Sequence, residues 1–110
     1  MNEKLKDKIN ALDREIGKKL EKKYPQHGMD KLFQIQLGLY AGVDVSKYEH
    51  LDKPGKMLEI RLGLEKGLDV DKYKDLDCMA KMEQIRIGLE LEKRLKLLGS
   101  INDNLNNNEG

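Results

Sequence analysis

The chain has no tryptophan, one cysteine, two prolines and only five aromatic side chains among 110 residues: Phe33, Tyr24, Tyr40, Tyr48 and Tyr73. A single cysteine, Cys78, forms no disulfide within the chain and builds no cysteine-based zinc site, which suits a reducing compartment. So few aromatics argue against a thick β-sandwich core. β-Branched residues are scarce and no alternating run persists, so no strands are expected. No apolar run reaches the length of a signal-peptide core or a membrane span, which points to a bacterial cytoplasm and away from a membrane partner. Charge of one sign is missing too. Twenty-one Lys and Arg face twenty Asp and Glu, for a net +1. That balance belongs to well-solvated helices and not to a general polyanion binder.

Motifs of enzyme chemistry are also absent. There is no P-loop, no GxGxxG and no HExxH. His27 and His50 stand alone, one in a linker and one in a connector. Cys78 follows Asp77, whose negative charge opposes a lowered thiol pKa. Asp69, Asp71 and Asp75 begin like a calcium loop. The central glycine and the glutamate at the twelfth position are wanting, and Asp44-Val45-Ser46 offers fewer carboxylates still. The expectation is a non-enzymatic protein with no cofactor, no metal and no catalytic residue.

What is present is a repeat. Gly38, Gly63 and Gly88 lie 25 residues apart. QIQLGLYAGVDVSKYEHLD at 34–52 matches EIRLGLEKGLDVDKYKDLD at 59–77, and QIRIGLELEKR at 84–94 repeats the first half. Eleven of twenty-one positions agree between 32–52 and 57–77, so the segment is one structural unit. The fold class expected is all-α. A long amphipathic helix at 1–24 precedes a small solenoid-like array of three units at about 29–52, 54–77 and 79–99. The polar, Asn-rich stretch 100–110 reads as a disordered tail.

The punctuation supports those bounds. Leu5, Ile9, Leu12, Ile16 and Leu20 make one stripe on the first helix. Tyr24-Pro25 ends it, because the residue before proline is pushed out of the α region. Gly42 and Gly67 sit where helices turn through a left-handed residue. Asp44 and Asp69 head short helical turns, and Asp52 and Asp77 read as caps of the long helices that follow. A glycine inside a helix costs about 1 kcal/mol against alanine. Its recurrence calls for a close neighbour, and Tyr48 and Tyr73 are the expected occupants. Ile35, Ile60 and Ile85 are expected in like surroundings.

The signature Glu-Ile-Arg-Leu-Gly-Leu-Glu-Lys-Gly-Leu-Asp-Val-x-x-Tyr at 59–73 resembles a short tandem repeat of proteins from Firmicutes, their phages and mobile elements. The resemblance spans residues 29–94. It implies origin more than chemistry. In that setting small helical proteins act as inhibitors or adaptors of host machinery, anti-CRISPR proteins among them. The partner so implied is a host protein or protein complex.

Three functional readings follow. A protein binder would use exposed apolar residues from among Phe33, Leu37, Tyr40, Leu58 and Leu62, with Gln36, Arg61 and Arg86 as a polar rim. A nucleic-acid binder would use Lys18, Lys19, Lys22 and Lys23 with a ladder of Arg61 and Arg86. A self-associating scaffold would join copies through the stripe of the first helix. The bland reading of the same residues is helix core and solvated charge.

Overall fold

The structure is a computed structural model and describes residues 2–108. Among them are four α-helices, two single turns of 3-10 helix and no strand. The helices are α1 (Glu3–Lys23), α2 (Met29–Ala41), α3 (Pro54–Glu65) and α4 (Met79–Asn108). The single turns, Val45–Lys47 and Val70–Lys72, sit in the connectors after α2 and α3. The molecule is a slab of 59 × 44 × 18 Å.

Local chemistry sets each boundary. The Asn2 side chain accepts from the Lys4 N–H at 2.9 Å and caps α1. Glu3 lies in its first turn, and Lys22 and Lys23 in its last, each matched to the helix dipole. α1 stops at Tyr24, before Pro25. Gly42 and Gly67 carry φ of 73° and 68°. At these turns the Val43 N–H reaches back to Gly38 C=O at 3.0 Å, and the Leu68 N–H to Gly63 C=O at 2.9 Å. Asp44 and Asp69 accept from the N–H two residues on, at 3.1 and 3.2 Å, and head the connector turns.

Two expected caps are not caps. Pro54 is the first residue of α3, so the cap position falls on Lys53, and Asp52 instead lies 3.7 Å from Lys56. α4 starts at Met79, so Cys78 holds the place expected of Asp77, and the Met82 N–H donates to Cys78 C=O at 3.1 Å.

Tyrosine meets glycine twice. Tyr48 and Tyr73 are wholly buried. The Tyr48 hydroxyl donates to Gln34 C=O and the Tyr73 hydroxyl to Glu59 C=O, each at 2.7 Å. A methyl group on Gly38 would collide with the Tyr48 hydroxyl and sit 2.9 Å from Val45. On Gly63 it would collide with the Tyr73 hydroxyl and sit 2.8 Å from Val70. The bare glycine is therefore the seat of the ring. Leu32, Ile35, Met57, Ile60, Val70 and Met82 fill the core around these tyrosines, with Leu20 from α1.

The third glycine differs. Nothing lies within 4 Å of a methyl on Gly88. Ile35 and Ile60 are fully buried, but Ile85 is 41% exposed. The reason is that α4 runs straight on where α2 and α3 give way to a connector, so no tyrosine folds back onto it among the described residues. Twenty-five residues beyond Tyr73 stands Leu98, inside α4 itself. The expected likeness of the three isoleucines thus holds for two.

α4 also corrects the expected tail. It runs through Gly99 to Asn108. The stop present in α3 as Gly67 is Glu92 here, and Leu91, Leu95, Leu98, Ile101 and Leu105 carry the helical period onward. The last two residues of the expected tail, Glu109 and Gly110, lie outside the described residues.

Candidate functional site

α1 packs on α2 through Leu20 and the half-buried Ile16. The rear of its stripe is therefore spent within the molecule, while Leu5, Ile9 and Leu12 stay exposed. Two polar ties fix the pair. At the linker end the Tyr24 hydroxyl donates to Glu49, and the His27 ring, stacked on Tyr24 at 5.1 Å, bonds Glu49 C=O at 2.7 Å. At the other end the Tyr40 hydroxyl donates to Asp13 and accepts from Gln36 Nε2 at 2.8 Å. Burial and then the Glu49 bond push the Tyr24 phenol up to about 12. Asp13 raises the Tyr40 phenol, against a smaller opposing effect of Gln36.

Between these ties runs an open groove of about 460 Å³. Arg14, Gly17, Lys18 and Glu21 of α1 wall one side, and Met29 and Gln36 of α2 the other. A smaller hollow continues it, lined also by Leu32 and Phe33. Met29, Phe33, Gln36 and Tyr40 recur at four, three and four residues, so they form one edge of α2. Met29 is 73% exposed, Phe33 57% and Tyr40 53%. A methionine and two aromatics in the open, flanked by charges of both signs, have the composition of a protein-binding surface. Met29, Asp13, Arg14 and Gly17 were not singled out in the sequence as groove residues. The spacing of Met29 from Phe33 is the one sequence signal that puts Met29 on this edge.

The other expected site residues divide. Gln36, Tyr40 and Lys18 lie at the groove. Lys19 is exposed and 3.4 Å from Glu15. Lys22 is exposed, and Lys23 lies over the Tyr24 ring at 5.4 Å. Leu37, Leu58 and Leu62 are half-buried and give no open surface.

The arginine ladder is a correction. Arg86 is buried: its Nε donates to Glu59 and its Nη1 to Glu90, both at 2.6 Å. Burial works against its charge, but the two carboxylates outweigh it and raise its pKa. Twenty-five residues earlier Arg61 makes a similar bridge, its Nε donating to Gln34 at 2.9 Å and its Nη1 to Glu65 at 2.7 Å. Both guanidinium groups join neighbouring helices and neither is free for a phosphate or a polar rim. Glu90 also takes Lys66 at 2.9 Å, and that bond first, then Arg86, holds its carboxyl below the ordinary value.

The remaining chemistry is spent or scattered. The Asp69 carboxylate caps its own turn, and Asp71 lies 3.3 Å from Lys74. His50 lines a hollow of about 410 Å³ between the connectors, beside Asp71 and Asp75. Among the described residues no three of His, Cys, Asp and Glu gather as a metal ion requires. Cys78 is exposed, and the backbone N–H groups of Lys81 and Ala80 lower its thiol pKa. They outweigh Asp77, so the sign expected from Asp77 alone is reversed. No helix among the described residues is long and apolar enough to cross a membrane.

No protein-family model, no curated protein and no solved structure matches the chain.

Proposed function

We propose that the chain is a non-enzymatic protein-binding module, a small array of 25-residue helical units whose α1/α2 groove receives an apolar segment of a partner protein. One observation carries this reading: the exposed edge of Met29, Phe33 and Tyr40 beside an open groove with a mixed-charge rim. The array reading rests on the same tyrosine–glycine seat at Gly38 and Gly63 and the same arginine bridge at Arg61 and Arg86. The likeness of residues 59–73 to repeats of phage and mobile-element proteins supports a host complex as partner, with the chain as its inhibitor.

Nucleic-acid binding is the weaker reading. It loses Arg61 and Arg86 to internal bonds and keeps only Lys18, Lys19, Lys22 and Lys23.

The test is co-purification from a Firmicutes host lysate with the wild type, the pair Met29→Asp/Phe33→Asp, and the four lysines of α1 changed to glutamate. The first pair leaves far-UV circular dichroism and Tm unchanged, since both side chains are exposed. It weakens the purified partner's Kd by about 30-fold or more, as loss of central apolar anchors does. The lysine variant retains the partner. Equal capture by the Met29/Phe33 variant, or a partner lost only with the lysines, contradicts the proposal.

A further inference from the structure

We infer that the shoulder where α3 ends against α4 is a docking site for an acidic protein segment that carries an apolar side chain. The shoulder shares no residue with the α1/α2 groove. The inference goes beyond the groove reading and does not rest on it.

The shoulder comes from a difference between the last two helices. α3 stops at Glu65 and the chain turns through Gly67, whereas α4 continues to Asn108. In the angle between them lie two hollows, of about 400 and about 230 Å³. Leu68 and Lys93 line both, so the hollows adjoin.

Charge decides what fits there. Arg94 lines one hollow, and Lys72 and Lys96 line the other. All three are exposed, and none forms an ion pair among the described residues. The acids beside them are already engaged. Glu65 holds Arg61 at 2.7 Å, and Glu90 holds Arg86 at 2.6 Å and Lys66 at 2.9 Å. The Asp69 carboxylate accepts from the Asp71 N–H at 3.2 Å. Of the lining acids only Glu92 has no such bond. Lys93 adds a positioned charge. Its ammonium donates to Lys66 C=O at the end of α3, which spends one of its three donors and pins it where the hollows meet. The positive excess is complementary to carboxylates.

The repeat does not demand these cations. Twenty-five residues before Lys93, Arg94 and Lys96 stand Leu68, Asp69 and Asp71. The last unit thus sets cations in place of two acids, on the stretch where it departs from the repeat.

Apolar groups complete the site. Leu97 is 61% exposed, and Leu68 and Leu89 are half-buried among the cations. No aromatic ring lines either hollow, so there is no platform to stack a base, and a nucleic-acid strand is the poorer fit. A polypeptide with carboxylates around an apolar anchor meets both features, as acidic motifs do on basic clusters.

Fluorescence anisotropy with the full chain and a labelled peptide of glutamates around a pair of leucines tests this. The wild type binds the peptide, and rising salt weakens binding because the contacts are exposed. Lys72→Glu/Lys96→Glu weakens it about 10-fold or more, with unchanged far-UV circular dichroism. Lys18→Glu/Lys19→Glu makes the same charge change on α1 and leaves the Kd within about 2-fold, since its effect is screened at that distance. Met29→Asp/Phe33→Asp leaves binding intact, which separates this result from failure of the groove reading. A peptide of glutamates alone binds more weakly, and Leu97→Ser removes that difference. Three results overturn the inference: no binding by the wild type, equal loss in the two lysine variants, or a single-stranded oligonucleotide of equal charge that displaces the peptide at lower concentration.

Discussion

Truncating Tyr73 to alanine lowers stability by about 3–5 kcal/mol, the range for emptying the site of a buried aromatic. The ring is 1% exposed and rests on Gly63, with Val70 beside it. Its hydroxyl is bonded to Glu59 C=O at 2.7 Å. Ile60, Met57 and Met82, all fully buried, belong to the same core. A chain of this length has only about 5–15 kcal/mol in total, so the loss lowers Tm by roughly 15 °C or more. Tyr73→Phe keeps the ring and loses only the hydroxyl bond, about 1 kcal/mol. Thermal melts of the three proteins check this. Tyr73→Ala melting within a few degrees of the wild type would mean that the connector does not hold α3.

Alkali unfolds the protein over a defined window. Burial pushes the phenols of Tyr48 and Tyr73 up to about 12, from an ordinary value of 10. For Tyr48 the neighbouring Arg61, and for Tyr73 Arg86, pull the other way and lose to burial. The fold holds the neutral phenol more firmly than the unfolded chain does. The resulting stability is whole below pH 10 and is lost as pH rises through about 12. The two tyrosines together account for a loss on the order of 5 kcal/mol. Tyrosinate absorbance and the helical circular dichroism signal are therefore expected to change together between pH 10 and 12. Ionisation of all four tyrosines near pH 10 with the helices intact would contradict their burial.

Much of the backbone was legible because glycine and aspartate have few uses. Gly42 and Gly67 announce left-handed turns, Asp44 and Asp69 announce capped turns, and Pro25 announces an end. The pairing of Tyr48 with Gly38 and Tyr73 with Gly63 was legible because a costly glycine recurred at a fixed distance from a tyrosine. What failed depended on partners far along the chain. Arg61 and Arg86 looked like surface charge because Gln34 and Glu59, 27 residues away, supply the bonds that bury them. The stretch 100–110 reads as disordered because its asparagines outweigh Ile101 and Leu105, which keep the helical period of Leu98. The groove was half legible. Gln36, Tyr40 and Lys18 stand among the expected site residues, but Met29 becomes a groove residue only when α1 lies beside it.

The seating of tyrosine on glycine is the joint on which the arrangement of α2, α3 and α4 depends, and a double-mutant cycle in urea tests it most directly. The four proteins are the wild type, Gly63→Ala, Tyr73→Phe and the double variant. Crowding the ring costs about 3 kcal/mol, and the better helix propensity of alanine returns about 1 kcal/mol, so Gly63→Ala is destabilised by about 2 kcal/mol. Removing the hydroxyl that the new methyl strikes makes the double variant more stable than Gly63→Ala alone. If Gly63→Ala instead stabilises the protein, as alanine does at an open helix position, the ring does not sit where the fold requires.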